Sequence, residues 1–100
     1  MKPSKESYFI EELFNIIKKR AKSNNPESYT NFLFKKGKKN IAKKLGEETT
    51  ELIIDYLSGS KKRTIEEAAD VFYHLLVLLH SKKINLSDIE KELKKRKNVR

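Results

Sequence analysis

Few residues in this chain can break a helix, and that shortage constrains the fold more than any other feature. Only three glycines and two prolines interrupt 100 residues. Between them apolar side chains return every three or four positions: Phe9, Ile10, Leu13, Phe14, Ile16 and Ile17 set the spacing in the first segment. That is the period of a helix with one buried face. The many Lys, Glu, Leu and Ile residues favour helices over a sandwich or barrel. The sequence therefore predicts an all-α fold, a small helical bundle of about five helices.

The punctuation places them. The first helix runs from about Glu6 to Lys22 and ends at Ser23-Asn24-Asn25-Pro26, because Asn favours turns and Pro restricts the residue before it. The second follows Ser28, covers Tyr29 to Lys36 and stops at Gly37. The third runs from about Lys38 to Leu57 and stops at Ser58-Gly59-Ser60. It carries Gly46 at some cost in propensity, where a missing side chain permits close approach of a helix or ligand. Thr64 with Glu67 three residues later has the form of a capping box, so the fourth helix is expected from Ile65 to about His80. Ser87 with Glu90 repeats the device and opens a fifth helix to about Lys97, after which Val99 and Arg100 are expected to fray. No repeat or long linker divides the chain, so residues 1–100 read as one domain.

The fourth helix also predicts a partner. Val71, Phe72 and the run Leu75 to Leu79 leave it almost no polar face, and a helix apolar all round must be covered all round. Four other short helices cannot do this, so a homodimer is expected, with this helix near the interface.

The chain has no cysteine, which excludes disulfides, thiolate zinc sites and cysteine nucleophiles and fits a reducing compartment. The N-terminus is polar through Ser7 and lacks the apolar segment of a signal peptide. The longest apolar stretch, Val71 to Leu79, is interrupted by His74 and is too short to span a bilayer. A cytoplasmic protein with no membrane partner is expected. The net charge of +9 admits three readings: a solvated lysine surface, a nucleic-acid module, or a site for a small polyanion.

The acids help to decide. Of 14, seven lie between Glu47 and Asp70: Glu47, Glu48, Glu51, Asp55, Glu66, Glu67 and Asp70. At about 100° per residue, Lys44, Glu48, Glu51 and Asp55 share one stripe of the third helix, with Glu47 at its edge. Glu67, Asp70 and His74 share a stripe of the fourth. Helices joined by so short a turn should pack antiparallel, which lets the stripes face each other. Two carboxylates about 4–5 Å apart repel by roughly 3–4 kcal/mol at an effective dielectric near 20. A divalent metal removes that cost. Oxygen ligands select hard ions, and Mg²⁺ commonly completes its shell with substrate phosphate oxygens. An isolated Glu-Glu-x-x-Glu on a helix is more often just a solvated acidic face; it is the second cluster that makes the metal reading competitive.

Glu47-Glu48-x-x-Glu51 followed by Glu67-x-x-Asp70 resembles the metal-binding signature of the all-α, MazG-like nucleoside triphosphate pyrophosphohydrolases. Further matches are Arg20, Pro26-x-Ser28-Tyr29-Thr30-x-x-Leu33, Gly37, Lys44-Leu45-Gly46 and Glu67-Ala68-Ala69-Asp70-Val71-Phe72-Tyr73-His74-Leu75-Leu76-Val77. These narrow the resemblance to the phosphoribosyl-ATP pyrophosphohydrolases. The resemblance implies a dimeric helical bundle that hydrolyses phosphoribosyl-ATP to phosphoribosyl-AMP and pyrophosphate in histidine biosynthesis. It implies Mg²⁺, with Mn²⁺ as a substitute, held by Glu48, Glu51, Glu67 and Asp70, and leaves Glu47 to orient or deprotonate the attacking water. Arg20 and Lys44 are implied phosphate contacts, although either also reads as a surface cation. Ser28, Tyr29 and His74 are implied substrate contacts; their plainer roles are a helix cap, a core ring and a structural histidine.

Asp55 departs from the family's usual small apolar residue, and reads as a support for the metal site, a salt bridge to a lysine, or an exposed acid. Two rivals remain. One is a deoxynucleoside triphosphate pyrophosphatase of the same superfamily, against which the Ser-Tyr-Thr and Tyr-His segments speak. The other is a nucleic-acid module built on Lys35, Lys36, Lys38, Lys39, Lys43 and Lys44, which the seven clustered acids oppose. A small nucleotide substrate and no nucleic-acid partner are expected.

Overall fold

The computed structural model of the chain describes the backbone of residues 5–97 and side chains from residue 9. It contains five helices: α1 (Lys5–Lys22), α2 (Tyr29–Lys36), α3 (Lys38–Ser58), α4 (Lys61–Ser81) and α5 (Leu86–Arg96). No strand occurs among the described residues. The all-α expectation holds, while the expected fraying of Val99 and Arg100 lies outside the described residues. Among the described residues no helix is long and apolar enough to cross a membrane.

The core gathers the inward faces that the periodicity marked. Phe14 and Ile17 of α1, Leu33 of α2, Ile41 of α3, and Leu76, Val77 and Leu79 of α4 are buried together. Leu13, Phe34, Tyr73, Leu78, Ile84 and Leu86 pack around them. The buried apolar residues of α4 therefore belong to its second half. α4 as a whole forms an antiparallel hairpin with α3, the most extensive helix pair among the described residues. The radius of gyration is 15.1 Å, above the roughly 13 Å of a compact 100-residue domain.

Helix ends follow local chemistry, with two corrections to the sequence reading. The cap of α4 is Ser60, not Thr64: Ser60 Oγ accepts from the Arg63 N–H at 3.0 Å. Thr64 sits within the first turn and shares its hydroxyl between the carbonyls of Ser60 (2.9 Å) and Asp55 (3.2 Å), so it ties α4 to α3. The cap of α5 is Asn85, not Ser87, because the Asp88 carboxylate accepts from the Asn85 backbone N–H at 2.9 Å. In both places two capping-competent residues lie close in sequence, and the earlier one gains a longer helix.

Gly37 is both the end of α2 and the start of α3, at φ 95°. An L side chain is strained there. At the end of α4, Lys83 adopts φ 60°. The Lys83 N–H reaches the His80 carbonyl and the Ile84 N–H reaches that of Leu79, both at 2.9 Å. This is a Schellman motif with a lysine where glycine is usual. No other helix approaches Gly46: a Cβ there would meet no protein atom within 4 Å.

Candidate metal and nucleotide site

Antiparallel pairing of α3 and α4 brings the acidic stripes together. One carboxylate oxygen each from Glu48, Glu67 and Asp70 lies within 4.8 Å of the others. Glu51 stands outside that trio but beside it, since its charge acts on both Glu48 and Glu67. Burial, then the charges of Glu51 and Asp70, push the Glu48 carboxyl above the ordinary glutamate range, against a lowering influence from Lys44. Glu67 is raised first by burial and then by Glu51, with Asp70 and Glu48 adding to it and Arg63 opposing. These are carboxylates crowded beyond what their neighbours neutralise.

Glu67 tests whether a cation fits. Its side chain is 7% exposed. Oε1 is held by the Arg63 guanidinium at 2.9 Å, while Oε2 is buried without a hydrogen-bond partner. A buried carboxylate oxygen left unpaired is costly. Pointing one beside two further carboxylates suits a hard divalent ion. All the donors are oxygens, which fits Mg²⁺ or Mn²⁺ and disfavours soft metals.

Arg63 is the residue the sequence reading missed. Its guanidinium meets Glu66 at 3.2 Å, Glu67 at 2.9 Å and Asp55 at 3.8 Å. The i,i+3 and i,i+4 pairs are a visible signal, but the link to Asp55 depends on the turn between α3 and α4. Asp55 is thus in a salt bridge, with an arginine rather than a lysine. Gly59 makes room for it, since a Cβ there would lie 2.6 Å from Asp55 Oδ1.

The remaining predicted residues fall into two groups. Glu47 and Lys44 pair at 3.6 Å and line an open cleft with Gly46, Glu48, Thr50 and Glu51. Glu47 is exposed and outside the carboxylate trio. On the other side, Ser28 Oγ accepts from the Asn31 N–H at 3.2 Å and so caps α2. Tyr29 follows it, and its hydroxyl lies 3.1 Å from His74 Nε2. His74 is buried, and its Nδ1 lies 2.8 Å from the Asp70 carbonyl oxygen. Arg20, exposed at the end of α1, lies close enough to Tyr73 to favour its phenolate, although burial dominates and raises that phenol. Among the described residues Arg20 makes no ion pair.

The family model for phosphoribosyl-ATP pyrophosphohydrolase matches residues 10–97. The chain belongs to the phosphoribosyl-ATP pyrophosphohydrolase family. Proteins named phosphoribosyl-ATP pyrophosphatase agree with that assignment. One from Clostridium acetobutylicum is 52% identical over 87% of this chain and 79% of its own. One from Clostridium novyi is 48% identical over 88% of this chain and 80% of its own. A third, from Pyrobaculum neutrophilum, is 46% identical over 87% of this chain and 93% of its own. All these alignments cover most of both chains, so the family match reaches well beyond the acidic motif.

Proposed function

We propose that the chain hydrolyses phosphoribosyl-ATP to phosphoribosyl-AMP and pyrophosphate, as a step of histidine synthesis, and that it uses Mg²⁺, with Mn²⁺ as a substitute. The observation that carries this reading is the meeting of Glu48, Glu67 and Asp70, with Glu67 Oε2 buried and unpartnered, in a chain of this family. Glu48, Glu67 and Asp70 hold the ion, with Glu51 as the adjacent fourth carboxylate. When bound, the ion offsets charge on the phosphate oxygens and on the departing pyrophosphate.

The chain's own residues do the rest. Arg63 holds Glu67 through Oε1 and leaves Oε2 without a partner. Glu47 orients the attacking water and takes its proton as the water oxygen bonds to phosphorus and the phosphoanhydride bond breaks. Lys44, beside it, neutralises phosphate. Arg20 binds a second phosphate, while Tyr29 faces the sugar and base, with Ser28 capping its helix and His74 bonded to its hydroxyl. Turnover of phosphoribosyl-ATP with Mg²⁺ should disappear with EDTA and fall sharply in Glu48→Gln. A preference for dCTP or dUTP in the same assay would overturn the substrate assignment.

The apolar surface favours a homodimer. Leu57 is 75%, Ile65 60% and Phe72 54% exposed, with Ile53 and Ile54 beside them. Such residues clustered on one hairpin mark an interface rather than scattered surface apolars. Phe72→Lys should shift the protein toward monomer in sedimentation equilibrium. An unchanged mass would remove this face as the contact.

A further inference from the structure

Tyr29 and His74 form a chain of two hydrogen bonds ending on the backbone of α4, and with a neutral imidazole elementary chemistry fixes its direction. The Asp70 carbonyl oxygen, 2.8 Å from His74 Nδ1, only accepts, so Nδ1 carries the proton. In the neutral ring Nε2 is then an acceptor, and the Tyr29 hydroxyl at 3.1 Å donates to it. The single proton of Tyr29 is committed inward. Outward, its oxygen offers only lone pairs.

We propose that Tyr29 is a specificity residue that accepts a hydrogen bond from a hydroxyl or amino group of the nucleotide, and that His74 is the positioning residue that sets this polarity. The inference rests on the reading of the site as one for phosphoribosyl-ATP, and it names how that site tells the sugar-and-base end of its ligand from the phosphate end. Phosphate oxygens are acceptors. A tyrosine whose proton is already spent disfavours them and leaves them to Lys44, Arg20 and the carboxylate-held cation.

The surroundings suit this role. Tyr29 is 44% exposed, so the ring is open to a ligand. The two hydrogen bonds place its hydroxyl no more than about 8 Å from the Asp70 carbonyl, so one nucleotide can touch both regions. The ring is held independently of its hydroxyl, stacked on Tyr73 at 6.0 Å and on Phe32 at 6.3 Å. Thr30 in turn holds the Tyr73 hydroxyl at 2.5 Å. Removing the Tyr29 oxygen thus probes the hydrogen bond and not the packing.

The test is steady-state kinetics on the full chain with Mg²⁺. The substrates are phosphoribosyl-ATP, analogues lacking one ribose hydroxyl, and an analogue lacking the donor hydrogen on the exocyclic nitrogen of the base. Tyr29→Phe should raise KM about tenfold and move kcat by no more than about twofold, the scale of one lost hydrogen bond. His74→Phe should raise KM comparably in the native background and add nothing to Tyr29→Phe. The analogue whose penalty vanishes in Tyr29→Phe identifies the donor as ribose hydroxyl or base nitrogen. Additive effects of the two substitutions, persistence of every analogue penalty, or an equal loss of inorganic pyrophosphate binding in Tyr29→Phe would each overturn the inference. Failure of the wild type to turn over phosphoribosyl-ATP sinks the functional reading and this inference with it. A working wild type whose KM is indifferent to Tyr29→Phe sinks the inference alone.

Discussion

From His74 onward α4 buries Leu76, Val77 and Leu79 among α1, α2 and the start of α3, whereas its first three turns leave Ile65 and Phe72 exposed and carry Glu67 and Asp70 toward α3. One helix thus spans a finished core and an unfinished surface. In the second half, apolar groups other than Leu75 are covered and the His74 ring has a partner for each nitrogen. In the first half, apolar side chains lack a cover and Glu67 Oε2 lacks a partner. The half that does not satisfy itself is the half that the proposed function assigns to a metal and a second chain.

The sharpest way to break this contrast is to remove charge from the unfinished half. Asp70→Asn should lower kcat/KM about 10³-fold, because several kcal/mol of charge stabilisation leave with one ligand. Among the described residues no ion pair holds Asp70. The metal-free variant should therefore melt at or above the wild-type temperature. A variant that kept its activity would end the metal reading.

In the finished half the consequences are reversed. Leu76 is 2% exposed, and Leu76→Ala should cost about 3 kcal/mol in chemical denaturation. Its residual folded fraction should keep a near-normal metal affinity. Loss of metal binding in proportion to stability would show that the two halves are not separable.

Metal and protons should compete in the first half alone. Glu48 and Glu67 are raised in the fold, so the folded metal-free chain binds protons more readily than the unfolded one. Their burial, and then their crowding, destabilises the fold above the raised values and is relieved as pH falls through them. Mg²⁺ needs the deprotonated forms. At about 100 times its Kd it should add about 2.7 kcal/mol, and this increment should shrink on acidification over the same window. His80, lowered by burial and by Lys18, Lys83 and Lys22, titrates with or without metal, so the difference between the two melting curves isolates the carboxylates. An increment independent of pH would detach the ion from Glu48 and Glu67.

The smallest expected effect lies at the far end of α4. Lys83→Gly should stabilise the chain by about 1 kcal/mol, by relieving a left-handed lysine in the Schellman turn. Activity should be untouched, and a loss of stability would mean that the Lys83 side chain holds the turn by other contacts.

The sequence made the periodic features legible and left the pairwise ones obscure. Five helices followed from apolar spacing and from Pro26, Gly37 and Gly59. The facing stripes of Glu48 and of Glu67 with Asp70 followed from 100° per residue and a short turn. The caps of α4 and α5 were misread because Ser60 competes with Thr64, and Asn85 with Ser87, at a cost that local propensity does not rank. Arg63 was hidden because its partner Asp55 lies across the hairpin. The place of Glu51 beside the trio, rather than within it, depends on the rotation of α3 about its own axis, to within less than one residue. The Tyr29–His74–Asp70 chain joins residues 45 apart, a separation that no motif length encodes.

Gly37 ends one helix and begins the next with no residue to spare. α2, which carries Tyr29 at its first position, is therefore welded at a fixed elbow to α3, which carries Glu48. An added or deleted residue at this joint would rotate one helix about the other by a large fraction of a turn and move Tyr29 relative to Glu48. Where most connections between helices absorb changes of length, this one transmits them directly to the spacing of the tyrosine and the carboxylate.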